Sequence, residues 1–466
     1  MPCPSVFVRL VADYCDLLGP ALYCGGNWDA NANYGAFYLN ANDASNLDAN
    51  IGARLIVWTH CFCFMRYGFS TPIGENTVIR TGLSSAARKA PRQTRRVQIL
   101  KRKGNLLPAL ISDENIRRAI REVNRTHRYG RHHRKNRCVA WVEQTEAERV
   151  EELRHILRDG FTPSAARRRQ LYDQSSRKWR EIYEPKLWPD QYVHHALVQV
   201  IQPIILRRMD RWCCGSIPGR GPHYGARAIK RWMRTDHKGT RYCATLDIRH
   251  FYQSLTPETV MERIGSLIKD RRVLALCRET LADGVPIGSY CSQWYANAVL
   301  EPLDQYIHTL AEVRHYTRYM DNMTLFGPNK RKLRRAVAGV SAWLERHGLS
   351  LNGSRQIFPV RARMPDAMGY RYGRGYTLLR KRTVLRFKRA CRRAYRRISG
   401  GQKPTVRQAM AIMSRAGALR HCNGEGILRV YLAPLGIRRL KSIIRREAVV
   451  AYGLHGGDRA ALPRGA

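Results

Sequence analysis

The sequence predicts an α+β fold in which a small antiparallel sheet is combined with many helices. In 315–326, apolar and aromatic residues run up to Asp321 and away from it again, which predicts a hairpin with Asp321 and Asn322 as its turn pair. A further strand is predicted to end at Asp247. Segments with helical spacing, such as 385–398, predict helices around this sheet.

The two strand-end aspartates predict a metal site. A carboxylate at the tip of a buried hairpin is costly unless a cation binds it. Mg²⁺ prefers hard oxygen ligands, usually one or two carboxylates with water and substrate phosphates. We therefore predict that Asp247 and Asp321 bind magnesium, with the carbonyl of Ile248 as an additional ligand. Either aspartate alone would be interpreted as an ordinary turn or strand-end residue.

The charge of the chain indicates a polyanionic partner. Lys and Arg number 82 against 36 Asp and Glu, which gives a formal net charge of +46. No apolar stretch is long enough to span a bilayer, and the N-terminus is a poor signal peptide, so no membrane association is expected. The 13 Cys contain no CxxC pair, and free thiols in a reducing cytoplasm are expected.

Composition divides the chain into four segments. Residues 27–50 contain seven Asn and neither Lys nor Arg, whereas the chain is basic from Arg80 onward. The segments are an Asn-rich one at 1–80, a basic one at 81–240 that includes helical spacing at 146–161, one with both aspartates at 241–373, and a basic helical one at 374–466.

Side chains near the aspartates are candidates for binding a nucleotide. Tyr252 follows Asp247 by five residues and is placed to lie under the sugar of an incoming nucleotide, where it would exclude a 2′-hydroxyl. The alternative is a core aromatic beside Phe251. Arg180 and Lys186 lie beside turn residues and are candidates for binding triphosphate. For each residue alone, the alternative interpretation is an ordinary solvent-exposed basic loop.

Another group of residues is predicted to contact a template or primer. Gly288 and Ser289, before a predicted helix, would let the backbone approach a template strand closely. The segment 366–372 is predicted to be a small hairpin that grips a primer. The candidates are Arg220 for phosphates, Ser292, Gln293 and Asn297 for template or sugar, and Gly369 and Tyr370 for the primer.

These motifs, in this order, resemble those of reverse transcriptases over roughly 105–423. TLDIRHFYQSL resembles the first catalytic strand of that family, RYMDNMTLF its YxDD hairpin, and HGLSLN and MGYRY the next two blocks. The resemblance implies a right-hand polymerase fold, with fingers at 81–240, a palm at 241–373 and a helical thumb at 374–466. It also implies RNA-templated DNA synthesis with two magnesium ions, and template RNA, primer, cDNA and deoxynucleoside triphosphates as partners.

The segment 287–293, which we call the template block, resembles one subgroup of that family. Residues 287–293 read IGSYCSQ, where most bacterial relatives have QGxxxSP, and IGxxxSQ is similar to the enzymes of diversity-generating retroelements. This implies error-prone copying of a template-repeat RNA, with Ile287 linked to low fidelity, and an oligomeric accessory protein. It also implies a bacterial cytoplasmic enzyme encoded on a chromosome, prophage or phage. Residues 1–80 would then be a translated template repeat, and the enzyme would begin near Val78 or later. The alternative is a small, polar, Asn-rich folded appendage.

Two positions depart from the family pattern. Asn322 stands where the family usually has a second Asp, and losing one negative charge is expected to weaken metal binding or slow the reaction. Arg355 is the nearest cation where relatives often have a Lys that protonates pyrophosphate, and a guanidinium is a poor proton donor. Basic residues of the predicted thumb are expected to follow a duplex backbone; they include Arg386, Lys388, Arg389 and Arg392.

Two alternatives stay open at this point. A defence-associated or retron-like reverse transcriptase would share the palm but differ in its RNA partner. A non-catalytic RNA-binding scaffold with a decayed palm is the alternative from another class, and Asn322 is the feature that motivates it.

Overall fold

The structure is a computed structural model of the 466-residue chain. It describes residues 101–127, 136–173 and 178–452, together with two paired strands, β1 (Asn27–Trp28) and β2 (Leu39–Asn40). Apart from these two strands, the predicted translated repeat at 1–80 and the predicted start near Val78 lie outside the described residues.

The first part of the described chain is mainly helical and carries one long hairpin. Local signals start several of its helices: the side chain of Asn136 caps one, and Asp113 and Glu114 lie in the first turn of another. The elements are α1 (Leu107–Leu110), α2 (Asp113–His127), α3 (Arg137–Gln144), α4 (Glu146–Asp159), β3 (Arg167–Asp173), β4 (Lys178–Glu184), a π-helical turn at Leu187–Gln191, and α5 (Tyr192–Leu206).

The central part contains a four-stranded antiparallel sheet in the order β6-β7-β5-β8. Its strands are β5 (Tyr242–Asp247), β6 (His315–Tyr319), β7 (Asn322–Gly327) and β8 (Gln356–Pro359). Helix α6 (Pro222–Thr235) precedes β5, and the helices between the strands are α7 (Phe251–Ser254), α8 (Pro257–Gly265), α9 (Arg271–Glu279), α10 (Tyr290–Thr309) and α11 (Lys330–Arg346).

The last part joins a small sheet to basic helices. The sheet has the order β11-β10-β9, and its first hairpin turns at Met368 and Gly369, both with positive φ. The elements are β9 (Asp366–Ala367), β10 (Tyr370–Tyr372), β11 (Thr377–Leu379), α12 (Lys381–Ser399), α13 (Val406–Leu419), α14 (Glu425–Tyr431), a 3₁₀ turn at Ala433–Leu435, and α15 (Ile437–Tyr452).

Two hydrophobic cores organise these elements. The first joins α1–α5 to the four-stranded sheet and α8–α11. The second joins α6, the small sheet and α12–α15. The small sheet therefore crosses the predicted boundary at 373, and α6 packs with the last part of the chain although it lies within 81–240. The four-segment division stays a prediction.

The α+β class predicted from the sequence is confirmed, but one local prediction is corrected. The hairpin turn is Met320–Asp321 rather than Asp321–Asn322, because Asn322 already pairs with Tyr319 and Met320 takes the positive φ of +54°. After α11, Leu351 forms a single β-bridge with Ile248. Among the described helices, none combines the length and apolar character that a membrane span requires.

Candidate active site

The sheet brings the two predicted aspartates together. Asp247 is the last residue of β5, and it lies directly opposite Asn322, the first residue of β7. Asp321 occupies the turn immediately before Asn322. Because β5 and β7 are neighbouring strands, both carboxylates lie at the same end of the sheet.

The electrostatics of this end favour a bound cation. Burial, reinforced by the negative charge of Asp247, raises the pKa of Asp321 to about 6. A hydrogen bond of 2.9 Å from Nδ2 of Asn322 to Oδ1 of Asp321, together with the charge of Arg180, acts in the opposite direction. The charge of Asp247 thus destabilises the ionised form of Asp321, and a divalent cation bound beside the two carboxylates would relieve that repulsion.

Asn352 is a site residue that the sequence analysis missed. Its Nδ2 donates to Oδ2 of Asp247 at 3.1 Å, and its main-chain N–H donates to the main-chain oxygen of Asp247 at 2.7 Å. The available signal was its place at the end of HGLSLN, the segment whose Leu351 bridges to Ile248. Asn352 therefore fixes both the backbone and the carboxylate of Asp247.

A fully buried ion pair supports the turn from inside the protein. Arg318, on β6, donates from Nε to Oδ1 of Asp304 at 2.7 Å and from Nη2 to Oδ2 at 2.6 Å. Its Nη1 donates to the main-chain oxygen of Met320 at 3.0 Å. Tyr316 also donates its hydroxyl to Asp304 at 2.6 Å. Arg318 thus connects α10 to the residue that precedes Asp321.

Asn297 belongs to this interior network and not to an exposed template surface. It is completely buried; its Oδ1 accepts from Nη1 of Arg318 at 3.1 Å, and its Nδ2 donates to the main-chain oxygen of Gly215 at 2.9 Å. Gly215 packs so closely on the turn that a Cβ there would lie 2.5 Å from the main-chain nitrogen of Met320. The structure replaces the predicted template contact of Asn297 with a role in supporting the turn.

The predicted template block is joined to the β3–β4 hairpin. The main-chain N–H of Tyr183 donates to the carbonyl of Ile287 at 2.9 Å. Gly288 has a φ of +125°, and a Cβ there would lie 1.9 Å from the carbonyl oxygen of Tyr183. The close neighbour that Gly288 admits in this structure is therefore the protein's own hairpin.

The other predicted site residues differ in accessibility. Tyr252 and Gln293 are half-buried, and Tyr252 packs against Phe251 with ring centroids 5.5 Å apart. Lys186 is exposed, whereas Ser289 and Ser292 are buried.

Arg220 and the small hairpin already have partners within the chain. Nη1 of Arg220 donates to the carbonyl of Asp210 at 2.6 Å. Tyr370 is buried, and its hydroxyl donates to the carbonyl of Ala418 at 3.1 Å, so the hairpin carrying Gly369 is attached to α13.

The protein ligands fit Mg²⁺ only if water and substrate phosphates complete its coordination shell. Within the described residues, no group of three or more His, Cys, Asp or Glu is arranged to hold a metal ion. Two carboxylates with one adjacent carbonyl leave coordination positions for water and substrate phosphates, which is a usual arrangement for Mg²⁺ in phosphoryl-transfer enzymes. Asp247, Asp321 and the carbonyl of Ile248 would be the protein's contribution.

The predicted thumb helix has one buried and one basic face. Phe387 and Ala390 lie in the second core, whereas Arg389 and Arg392 are exposed and Arg386 and Lys388 are half-buried. Such a helix presents cations to solvent while its apolar side anchors it.

Residues 174–356 match a family model described as reverse transcriptase (RNA-dependent DNA polymerase). This segment contains Asp247, Asp321 and the strands that carry them. This part of the chain is therefore similar to a reverse transcriptase domain.

Three curated proteins share part of the sequence. Nuclear intron maturase 1, mitochondrial, of Arabidopsis thaliana is 28% identical over 109 residues, covering 23% of this chain and 15% of that protein. Protein YkfC of Escherichia coli (strain K12) is 26% identical over 171 residues, covering 34% and 44%. An uncharacterized 91 kDa protein in the cob intron of Schizosaccharomyces pombe is 30% identical over 165 residues, covering 32% and 19%. The chain thus spans less than half the length of each relative.

Two solved structures are also similar. Apo telomerase from Candida Tropicalis gives a TM-score of 0.40 at 11% identity, covering 67% of this chain and 62% of that chain. Its form truncated from the C-terminal domain gives a TM-score of 0.36 at 12% identity, covering 45% and 53%.

Proposed function

We propose that this protein is an RNA-directed DNA polymerase that acts by two-metal nucleotidyl transfer. The observation that carries the proposal is the meeting of Asp247 and Asp321 at one end of the sheet, within the segment that is similar to a reverse transcriptase domain. The net charge of +46 supports template RNA, primer and cDNA as partners.

Each residue of the site has a distinct role in this proposal. Asp247 and Asp321, with the carbonyl of Ile248, would hold the metal ions. Bound magnesium would activate the primer 3′-hydroxyl and stabilise the leaving pyrophosphate. Arg180 carries a positive charge close enough to affect the ionisation of Asp321, which supports a role in binding the triphosphate of the incoming nucleotide. Tyr252 would lie under the sugar of that nucleotide.

The support beneath the site makes it rigid. Asn352 orients the carboxylate of Asp247, and Arg318 holds the carbonyl next to Asp321. Catalysis by positioned charges requires the charges to be in place before the substrate arrives, because reorganising them costs free energy in the transition state. The proposed role of both residues is therefore to position the aspartates.

The fingers, palm and thumb at 81–240, 241–373 and 374–466 belong to the same proposal. The string IGSYCSQ at 287–293 supports the finer assignment to enzymes of diversity-generating retroelements. On this assignment the enzyme copies a template-repeat RNA with errors in the bacterial cytoplasm and works with an oligomeric accessory protein. The main-chain carbonyl of Ile287 accepts a hydrogen bond from the main-chain N–H of Tyr183, so a change at Ile287 would be transmitted to the β3–β4 hairpin.

One observation favours a second candidate function. Asn322 places an amide where the family pattern has a carboxylate, and this supports a non-catalytic RNA-binding scaffold. The two candidates differ in whether the chain extends a primer.

Primer extension on an RNA template with Mg²⁺ tests the proposal, using the parent chain, Asp321→Ala and Asn322→Asp. We expect extension by the parent and its loss in Asp321→Ala, and product sequencing should show errors concentrated opposite template adenine. Extension only by Asn322→Asp would favour the scaffold, and errors spread evenly over the four template bases would contradict the diversity-generating assignment.

A further inference from the structure

The β3–β4 hairpin exposes two large aromatic rings. Trp179 is 68% exposed and Tyr172 is 40% exposed. They are direct cross-strand partners, and their ring centroids are 5.1 Å apart at an angle of 58°. Leaving two adjacent aromatic surfaces in water gives up burial worth about 25 cal/mol per Å² of apolar surface, so such a pair indicates a binding surface.

The rings belong to one continuous face of the hairpin. Side chains alternate between the two faces of a strand pair, so Tyr172 and Trp179 share their face with Gln170 and Glu181. The burial pattern follows this alternation, since these four residues are all exposed.

The same face ends in a cation over an aromatic ring. Arg168 pairs with Tyr183, and its guanidinium carbon lies 5.0 Å from the centre of the Tyr183 ring. We call the surface formed by Arg168, Tyr172, Trp179 and Tyr183 the aromatic strip. It combines flat apolar surfaces with a positive charge, which is the chemistry that binds bases and phosphates of a single strand.

The opposite face of the hairpin points towards the active site. Most residues there are half-buried, and only Arg167, at the end of that face, is exposed among those whose burial is described; the half-buried ones are Arg169, Leu171, Arg180, Ile182 and Glu184. Arg180, next to Trp179 in the chain, influences the ionisation of Asp321. The backbone of Tyr183 is bonded to Ile287 and packs against Gly288. The aromatic strip is therefore attached to the segment 287–288, and the opposite face of its hairpin carries Arg180, whose charge acts on Asp321.

We propose that the aromatic strip is a stacking platform for single-stranded RNA, on which template nucleotides rest before they enter the active site. The position along the template rests on the proposed function, whereas the affinity for single-stranded RNA does not. A duplex does not fit this surface, because its bases are already stacked on each other and their faces are covered. Sequence-tolerant stacking suits a platform over which successive template bases must move.

The test is the affinity of the full chain for a single-stranded RNA and for an RNA–DNA duplex, measured by fluorescence anisotropy. Trp179→Leu keeps an apolar side chain but removes the flat ring, and it should weaken single-strand binding by about 5- to 100-fold. Trp179→Phe keeps a ring and should stay within about threefold of the parent. Duplex binding should be unchanged in both variants.

Trp141→Leu is the matched control. Trp141 is 38% exposed, but its ring already contacts Trp188 at 5.5 Å and Arg149 at 4.5 Å. Single-strand binding should therefore survive this change. Equal binding by Trp179→Leu and the parent would overturn the proposal, as would an equal loss for single strand and duplex. A surface that instead captured a peptide would give the first of these results.

Primer extension separates this inference from the proposed function. Templates with a short and a long single-stranded 5′ overhang are compared, and Trp179→Leu should lower extension selectively on the long one. A parent that binds single strands through the Trp179 ring and yet extends no primer would contradict the proposed polymerase function but would support the stacking platform. If the parent extends the primer and Trp179→Leu changes neither extension on the two templates nor RNA binding, only the stacking platform would be contradicted.

Discussion

Asn322 donates a hydrogen bond of 2.9 Å from Nδ2 to Oδ1 of Asp321, while its backbone lies opposite Asp247 in the sheet. A neutral amide therefore stands between the two carboxylates. It lowers the pKa of Asp321 against the effects of burial and of Asp247, which raise it. The amide thus relieves part of the charge repulsion that a third carboxylate would increase.

Asn322→Asp should make the site depend less on a high magnesium concentration. An added carboxylate strengthens the attraction for a cation, and we expect the half-saturating Mg²⁺ concentration for primer extension to fall about tenfold, equivalent to about 1.4 kcal/mol. Without metal the same variant should melt at a lower temperature than the parent, because three carboxylates then repel each other.

Asn329→Asp is the control for this charge change. Asn329 caps α11 through a side-chain bond to the N–H of Lys332, and Asp serves that position equally well. Its Mg²⁺ dependence should match the parent. An unchanged Mg²⁺ dependence in Asn322→Asp itself would show that position 322 does not face the metal.

Asn352→Ala should slow extension without unfolding the protein. The change removes the bond from Nδ2 to Oδ2 of Asp247 but keeps the main-chain bond between the same residues. A hydrogen bond to a charged group contributes about 1.5–3 kcal/mol, so the extension rate should fall about 10- to 100-fold. Thermal melting and single-turnover extension are measured together. A full extension rate would mean that Asp247 does not need this partner.

Arg318→Met should destabilise the fold strongly. It leaves the fully buried Asp304 without its ionic partner, which costs about 3–5 kcal/mol. Denaturant unfolding measures this cost. Adding Asp304→Leu should recover much of the stability, because an apolar pair can replace a buried ion pair.

The double variant Arg318→Met/Asp304→Leu distinguishes positioning from stability. It still lacks the donor to the carbonyl of Met320, so its extension rate should stay well below that of the parent. Arg263→Met is the comparison. Arg263, on α8, pairs with Glu301, which lies on α10 as Asp304 does. The described hydrogen bonds of the Arg263 side chain go to Ala298, Ser266 and Glu301 and not to the turn. If the stable double variant extended at the parent rate, Arg318 would have only a structural role.

Gly288→Ala should detach the β3–β4 hairpin from the template block. A Cβ there would lie 1.9 Å from the carbonyl oxygen of Tyr183, and the φ of +125° is strained for alanine. Gly284→Ala is the matched control, because Gly284 has a φ of +78° but no atom within 4 Å of the added Cβ.

Urea unfolding and limited proteolysis of the hairpin measure the difference between the two glycine variants. We expect Gly284→Ala to cost about 1–2 kcal/mol and Gly288→Ala at least about 2 kcal/mol more. Only Gly288→Ala should expose the hairpin to protease. Equal behaviour of the two variants would contradict the close packing of Tyr183 on Gly288.

Stability should fall as the pH drops below about 6.5. Burial lowers the pKa of His127 and His194 to about 4 and that of His195 to about 3, below the ordinary value of 6.5. Between those values the unfolded chain binds protons that the folded chain does not, so each histidine opposes folding by about 1.4 kcal/mol per pH unit.

Urea unfolding between pH 7 and pH 4 measures this loss. His194→Phe should flatten the decline, whereas His155→Phe, on an exposed part of α4, should leave the slope unchanged. A parent whose stability is flat over this range would show that the three histidines are protonated in the folded state.

Local patterns were sufficient to predict the elements that carry chemistry. The strand that ends at Asp247 and the hairpin that presents Asp321 follow from the alternation of apolar residues and from turn residues. The turn was misplaced by one residue because pairing of Asn322 with Tyr319 is set by register across the sheet, which local composition does not determine.

Interior polar contacts could not be predicted in the same way. Asn297 and Asp304 lie on α10 and Arg318 lies on β6, and they become partners only when the helix packs beneath the strand. Asn297 looked like a polar helix residue available to a template, yet it is buried. Gly288 was predicted to let the backbone approach a template strand, whereas the backbone that lies against it in the structure is that of Tyr183.

The most direct test of the account is the single-turnover rate of primer extension on an RNA template with saturating Mg²⁺, comparing the parent with Asp247→Asn. Glu258→Gln, which neutralises an exposed carboxylate on α8, is the control. We predict template-dependent extension by the parent and by Glu258→Gln, and a rate reduced by at least about a thousandfold in Asp247→Asn, equivalent to about 4 kcal/mol. Extension by Asp247→Asn at the parent rate would contradict the assignment of this pair of aspartates as the catalytic site.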